Sequence, residues 1–489
     1  MWDQQQLRDL VREKIGDAKF VVVSNREPYL HVMKEGRMHV VRPASGLVTA
    51  IDPMLRACRG TWIAHGSGNA DRKAVDADGR VMVPPEKPVY TLKRIWLSKA
   101  EEDGYYYGFS NSTLWPLCHN VYARPVFDQR SWDIYRQVNQ KFANSVLSEI
   151  DGMKAFVWVQ DYHLALVPAM IKEKRPDAIV VQFWHIPWPN PDTFRICPWK
   201  DEILWGMLGN DVMGFHIRYH CDNFLNCVDQ SLEVRVDRER SSVFHHGGLE
   251  TKVRPFPISI DAHSIEEEIR QGFDVDEEAS DILASIPENS TLALGLDRMD
   301  YTKGIPERLK SVGRFLEKNP EWHGKFVFAQ LGALSRIHIP EYKAINEQIT
   351  RVAEEVNWRF GTEDWTPVIL ARRHISHPDI YALYRRADVC IVSSLHDGMN
   401  LVAKEYVASR TDGDGVLILS RFTGASREME TALLINPYDI ESFADTIREA
   451  VVMPEEERRA RMAKMRSLVE ENNVFKWAGK VVSEIARLT

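Results

Sequence analysis

Two carboxylates eight residues apart, Asp397 and Glu405, bracket a glycine-bearing turn in the segment Asp397-Gly-Met-Asn-Leu-Val-Ala-Lys-Glu-Tyr406. The apolar run Val389–Val392 just before it predicts a buried strand, and the residues after the turn predict a helix. A strand, a turn and a helix N-terminus make an anion site from backbone amides alone. Amides suit a diphosphate and carboxylates suit sugar hydroxyls, so this segment carries the chemistry for a nucleotide sugar. A bare Asp-Gly is usually turn punctuation, and an early helical Glu merely complements the dipole. The other polar groups at predicted strand ends therefore matter.

Arg298 and Lys303 follow the predicted strand Thr291–Leu296, with Gly304 easing the turn into a helix. Two cations at a strand end can neutralise a leaving diphosphate, the electrostatic task of a glycosyl transfer. Asp161 ends the strand Ala155–Val159, and His185 ends the next one, Ile179–Trp184, 24 residues later. Successive strand ends thus present a carboxylate and an imidazole. A phosphorylated acceptor would need cations and hydroxyls. Arg26 follows the first strand, Phe20–Val23, and Arg336 lies past the strand Phe326–Gln330. The stretch Tyr105–Trp115, including Tyr106, supplies aromatics.

The elements that must hold these residues read as follows. Residues 4–16 predict a helix, and a long loop, Glu27–Ala44, intervenes before a helix begins at Gly46. Residues 61–120 read as short strands alternating with Gly, Asn and Pro turns. From Ala155 strand and helix alternate, through Val212–Phe215 to a last strand at Val253–Pro257. A charged segment, 265–281, precedes a second series at Thr291, Phe326, Val368–Leu370, Val389 and Val416–Leu419. That rhythm predicts an α/β protein with two Rossmann-like, doubly wound domains facing a central cleft, where strand C-terminal ends collect ligands. The domains are placed at 1–258 (acceptor) and 259–472 (nucleotide sugar), with a terminal helix, 473–489, crossing back to the first. A chain of 489 residues exceeds one ordinary core. Its net charge of −8 gives no support for a nucleic-acid partner. Its six cysteines lack metal spacing and read as buried free thiols of a reducing cytosol. No signal peptide or membrane-length apolar run is read, so a cytoplasmic protein with no membrane partner is expected.

With these residues in view, the chain resembles the trehalose-6-phosphate synthases, retaining glycosyltransferases of the GT-B type (glycosyltransferase family 20). The resemblance spans about residues 19–485 and rests on the Asp397–Tyr406 segment, on Arg298-x-Asp-Tyr-x-Lys303-Gly, on Asp161-Tyr-His and on His185-Ile-Pro. It implies that Arg298 and Lys303 contact the donor diphosphate and that Glu405 holds ribose hydroxyls. Asp397 would hold hydroxyls of the donor glucose, with the amides of Gly398, Met399, Asn400 and Leu401. Gly46 falls on the donor side and His185 beside the sugar's hydroxymethyl group. Asp161 would touch acceptor hydroxyls, and Arg26, Tyr106, Trp115 and Arg336 the phosphorylated acceptor. Asp161, His185, Arg298, Lys303 and Asp397 form the implied catalytic set.

Departures from the family pattern gather on the acceptor side. Ser45-Gly46 stands where Gly-Gly is common, Trp62-Ile-Ala-His65 where many members read Trp-x-Gly-Trp, and Gln160 where His is usual. His396 replaces the usual Arg before Asp397. The implied reaction takes glucose from a nucleoside-diphosphate glucose, with UDP-glucose the expected donor, to glucose 6-phosphate, without a metal or cofactor. Asp76-Ala-Asp78 and Asp412-Gly-Asp414 are read as surface turns rather than metal ligands. Two alternatives stay open: glucosylglycerol-phosphate synthesis on glycerol 3-phosphate, which the Arg26–Tyr29 sequence Arg-Glu-Pro-Tyr shares, and a noncatalytic sugar-phosphate sensor. The nucleobase, thought to border Val368–Ile375, and a homo-oligomeric state are also left open.

Overall fold

A computed structural model describes residues 2–43, 46–373 and 375–488. The chain forms two compact units: Trp2–Ile258 together with the segment from Val474 onward, and Ser259–Asn473.

The first unit is built on a ten-stranded sheet. Seven neighbouring strands run parallel, in the order Leu249–Pro255, Val212–Phe215, Ile179–Phe183, Ala155–Gln160, Lys19–Val23, Thr61–His65 and Tyr90–Ile95. From Lys19–Val23 the chain winds outward on one side, and from Ala155–Gln160 it winds outward on the other. Those two strands therefore flank a topological switch point, where an open α/β sheet leaves a crevice at its carboxyl ends. Antiparallel strands close both edges. The central strands are mostly apolar because helices cover both faces, with the buried Gln160 and Gln182 as polar exceptions. The helix Val474–Ala486 belongs to this core. Its Trp477 packs on Trp158 and Phe183, at ring distances of 5.1 and 5.3 Å, and donates Nε1–H to the carbonyl of Phe256.

The second unit holds a six-stranded, wholly parallel sheet. Its order is Val368–Ala371, Phe326–Leu331, Thr291–Leu296, Val389–Val392, Val416–Ser420 and Leu433–Ile435. Here the switch point falls between Thr291–Leu296 and Val389–Val392. Each unit is thus doubly wound, as the strand–helix rhythm predicts, and no helix among the described residues is long and apolar enough to cross a membrane.

Two segments differ from the sequence reading, and a third, which it gave no element, gains two. The long loop after Arg26 contains a hairpin, Leu30–Lys34 paired with Arg37–Val41. The charged stretch 265–281 lies largely in two helices, Ala262–Gln271 and Glu277–Ala284. Residues 99–119 are helical rather than stranded, and Asp103–Leu114 forms a twelve-residue π-helix. It lies close against the helix Gln129–Glu149: a Cβ on Gly104 would come within 2.5 Å of Ile134, and one on Gly108 within 2.5 Å of Ser131. Those two glycines permit the approach, and the tertiary contact overrides their poor helix propensity.

Candidate active site

In the second unit, two loops leave the switch point side by side. The first begins after Leu296. Beneath it the buried Arg308 joins the carboxylate of Asp297 (2.7 Å), Ser393 Oγ (2.9 Å) and Gln330 Oε1 (2.7 Å). The turn ends at Gly304, whose φ of 62° is left-handed and whose Cβ would stand 2.3 Å from the carbonyl oxygen of Ser393. A side chain there would push the two loops apart, so glycine is required. The helix Ile305–Lys318 then carries the chain away.

The second loop carries Asp397. Lys303 Nζ lies 2.5 Å from Asp397 Oδ2, which also receives Ser394 Oγ and Asn400 Nδ2, each at 3.2 Å. Asn400 adopts a left-handed φ of 77° and caps the helix Leu401–Ser409 through Ala403 N. The first amides of that helix have no intrahelical acceptors, and they follow directly on Gly398 and Met399. Glu405 sits one turn in, its carboxylate 3.5 Å from Tyr384 Oη; burial pushes it up to about 7. Asp300, in the first loop, is fully buried. Burial alone would raise it, but Arg298, Arg336 and Lys303 outweigh that and hold it below its ordinary value. The sequence-predicted Arg298, Lys303, Asp397, Glu405 and the 398–401 turn are therefore gathered at one switch point, with Arg336 beside them.

In the first unit, the strand Lys19–Val23 ends in Ser24, whose Oγ donates to the carbonyl of Arg26 (2.6 Å) and accepts Trp62 Nε1–H (2.7 Å). Arg26 is exposed, and its guanidinium has no partner among the described residues. A cavity of about 250 Å³ opens here, lined by Arg26, Glu27, His65, Ser67, Glu102 and Tyr106 among others. The hairpin contributes Leu30, and Pro43, two residues beyond its end, also lines the cavity. Sequence reasoning marked Arg26 and Tyr106 but gave no role to Glu27, Glu102 or Ser67. Glu27 accepts from Arg94 Nε (2.7 Å) and from Ser67 N (2.8 Å), and burial with the neighbouring Asp71 raises it well above the carboxylate range against the pull of Arg94. Its place directly after Arg26 at a strand end is the signal that could have found it.

Across the same switch point, Asp161 holds φ 70°, ψ 175°. Such a backbone costs a non-glycine residue on the order of 1–3 kcal/mol and persists only where surroundings impose it. Here its carboxylate accepts His185 N–H (3.2 Å), its carbonyl accepts Gln182 Nε2 (3.1 Å), and its own amide donates to Phe183 (2.7 Å). His185 Nε2 lies 2.9 Å from Gln160 Oε1, and burial, with His163 nearby, pushes the imidazole down to about 3. His185 is therefore neutral, with Nε2–H donated to Gln160 and Nδ1 left as an acceptor. Tyr106 stacks on His163 at 5.6 Å and 7°. Trp115 is buried behind Tyr162, whose hydroxyl donates to Asn111 (2.8 Å). Gly46 opens the helix Gly46–Cys58, while Ser45 and His374 lie outside the described residues. Asp412 and Asp414 each pair with an arginine, Arg410 and Arg458, and Asp76 accepts amides of its own turn.

The pattern defining glycosyltransferase family 20 matches residues 18–487. A trehalose-6-phosphate synthase of Mycolicibacterium vanbaalenii is 38% identical over 478 residues, 96% of each chain. Among solved structures, the E. coli protein bound with UDP-2-fluoro glucose superposes with a TM-score of 0.85 at 30% identity, covering 96% of this chain and 100% of that one. The α,α-trehalose-phosphate synthase (UDP-forming) of Burkholderia xenovorans in complex with glucose-6-phosphate gives 0.84 at 29% identity, over 96% and 100%.

Proposed function

We infer, because this chain belongs to glycosyltransferase family 20, that it transfers glucose from UDP-glucose to glucose 6-phosphate, forming α,α-trehalose 6-phosphate and releasing UDP. The observation that carries the reading is the meeting of Arg298, Lys303 and Asp397 at the switch point of the six-stranded sheet, one turn from Glu405. Cations there neutralise the departing diphosphate, and carboxylates beside them hold ribose and glucose hydroxyls. Relatives that share the fold over 96% of this chain bind a UDP-glucose analogue and glucose 6-phosphate, and both ligands suit the groups described above.

In this mechanism the bond between the anomeric carbon and the diphosphate oxygen breaks as the acceptor's anomeric hydroxyl attacks from the same face. The hydroxyl proton passes to the departing phosphate oxygen, so no residue need serve as a base and configuration is retained. Arg298 and Lys303 take up the charge that develops on the leaving group. Lys303 turns from Asp397 toward the diphosphate, and Asp397 is then available to glucose hydroxyls. Asp161 accepts from an acceptor hydroxyl. The neutral His185 offers Nδ1 to a donor hydroxyl without adding a positive charge near the oxocarbenium-like carbon. Arg26, Tyr106 and Arg336 are the groups assigned to the acceptor phosphate. The protein's contribution is alignment and charge stabilisation.

The test is a grid of UDP-, ADP- and GDP-glucose against glucose 6-phosphate, glycerol 3-phosphate and no acceptor, with products read by mass spectrometry. Trehalose 6-phosphate from UDP-glucose and glucose 6-phosphate is the expected product. A glycerol-phosphate glucoside, or no transfer with any pair, would overturn the assignment.

A further inference from the structure

Arg336 is held in a way its assigned role does not explain. It adopts a left-handed φ of 47°, and its side chain is only 6% exposed. Its Nη1 donates to the hydroxyl of Tyr342, and its guanidinium lies over the Tyr342 ring at 5.5 Å. The same hydroxyl donates to Asp300 Oδ2 at 3.0 Å, while Arg336 Nη1 itself stands 3.7 Å from that oxygen. Tyr342 is fully buried at the start of the helix Pro340–Phe360, and Tyr301 packs edge-on against it at 5.1 Å. Asp300 is also fully buried and takes the amide and hydroxyl of Thr302. The backbone leading to Arg336 is tied to the same turn, since Met299 N–H donates to the carbonyl of Ala333 and Met299 bridges Leu334.

A buried carboxylate beside three cations is a poor choice for a site that must take anions, unless it orients those cations. A phenol that accepts from the guanidinium and donates to the carboxylate fixes both in one plane of contact. Burial and the Asp300 charge keep that phenol protonated, so its donor role holds at any working pH. Arginine loses much of its rotamer entropy on binding a phosphate, and prior fixation removes that cost.

We propose that Tyr342 is a positioning residue for Arg336: with Asp300 it presets the guanidinium for the acceptor phosphate and so determines acceptor affinity without touching substrate. The proposal rests on the assignment of Arg336 to the phosphorylated acceptor. It differs from a merely structural role, because packing alone would move stability and donor binding together with acceptor binding.

The experiment compares Tyr342→Phe, Arg336→Ala and the double variant, each with acceptor and donor KM, kcat, and equilibrium binding of UDP as a check of folding. Tyr342→Phe should raise acceptor KM about tenfold, the size expected for one lost charge-assisted hydrogen bond. Donor KM and UDP affinity should stay within about twofold. Added to Arg336→Ala, Tyr342→Phe should change acceptor KM no further, because the residue it positions is gone. Unchanged acceptor KM in Tyr342→Phe beside a raised one in Arg336→Ala would overturn the proposal and leave the assignment of Arg336 standing. Unchanged acceptor KM in Arg336→Ala would remove that assignment and the proposal with it. Loss of UDP binding in Tyr342→Phe, or additive effects in the double variant, would make Tyr342 architectural and overturn the proposal.

Discussion

At the switch point of the six-stranded sheet the cations already have anionic company: Lys303 lies on Asp397, and Arg336 is held by Tyr342 beside Asp300. At the switch point of the ten-stranded sheet Arg26 is exposed and its guanidinium has no partner among the described residues, and the imidazole of His185, against the Asp161 turn, is neutral. The first arrangement keeps buried charge balanced, and a diphosphate taking the place proposed for it would exchange for a carboxylate. The second leaves its cation in water, where capture of a phosphate needs little rearrangement but is screened. Contacts made in the balanced, buried site should therefore be worth more than the contact offered by Arg26.

The severest test of that contrast is Arg298→Ala. Losing a preorganised cation at the leaving group should cost about 2–4 kcal/mol of transition-state stabilisation, a roughly 30- to 1,000-fold fall in kcat/KM. Steady-state kinetics on a variant whose melting temperature is preserved would measure it. Near-normal kcat/KM would remove the donor site from this switch point. Arg26→Ala should do less. It should raise the KM for glucose 6-phosphate by an amount equivalent to about 1.5–3 kcal/mol, leave donor KM alone, and weaken in its effect as salt rises. If Arg26→Ala outweighed Arg298→Ala in kcat/KM, the ranking of the two sites would be reversed.

Gln160 offers a smaller and more specific probe of the first unit. It is fully buried, and its Oε1 fixes the tautomer of His185. Gln160→Leu should cost about 1–2 kcal/mol in kcat/KM, the penalty of leaving one buried N–H unmatched. Gln160→Glu should act differently, since an added carboxylate favours the imidazolium and removes the free acceptor at Nδ1. The His185 ring signals in NMR would then titrate at a higher pH than in the parent protein. An unchanged titration would show that the residue at position 160 does not control this imidazole.

Much of this contrast was legible in the chain, and what was not has a physical cause. Buried parallel strands such as Val389–Val392 announce themselves as apolar runs, and a catalytic group at a strand end is found by counting from them. The spacing of Arg298 to Lys303 survives folding because both lie in one strand–turn unit, and that of Asp161 to His185 because they end two neighbouring parallel strands. The π-helix Asp103–Leu114 was not legible, because its tyrosines, serines and glycines favour strands and turns and only packing against Gln129–Glu149 makes them helical. Nor was the Glu27–Arg94 pair, whose members are 67 residues apart and meet only through strand pairing. Asp300 was quoted as part of a motif, yet its partner Tyr342, 42 residues on, is marked by no pattern.

The smallest expected effect, a fraction of a proton, separates the two units most cleanly. Burial disfavours the charged form of Glu405 and pushes it up to about 7. Near pH 7 it is therefore partly protonated. Ribose hydroxyls that donate to its carboxylate would stabilise the charged form and lower that value, so UDP binding should release protons. His185, held at about 3, stays neutral before and after and contributes nothing at this pH. The release should peak below pH 7, between the values Glu405 takes without and with the nucleotide. It should fade above about pH 8, where Glu405 is already ionised, and again only below the ordinary carboxylate range, where both states are protonated, since one or two units on either side of a pKa complete a titration. Isothermal calorimetry of UDP binding in buffers of differing ionisation enthalpy counts the protons directly. UDP's own phosphate also titrates in this range, so the informative quantity is the difference between the parent and Glu405→Gln. That variant should bind UDP with fewer protons released and somewhat lower affinity. Equal proton counts would mean that Glu405 does not meet the nucleotide, and the balanced site of the second unit would have to be redrawn around Lys303 and Asp397 alone.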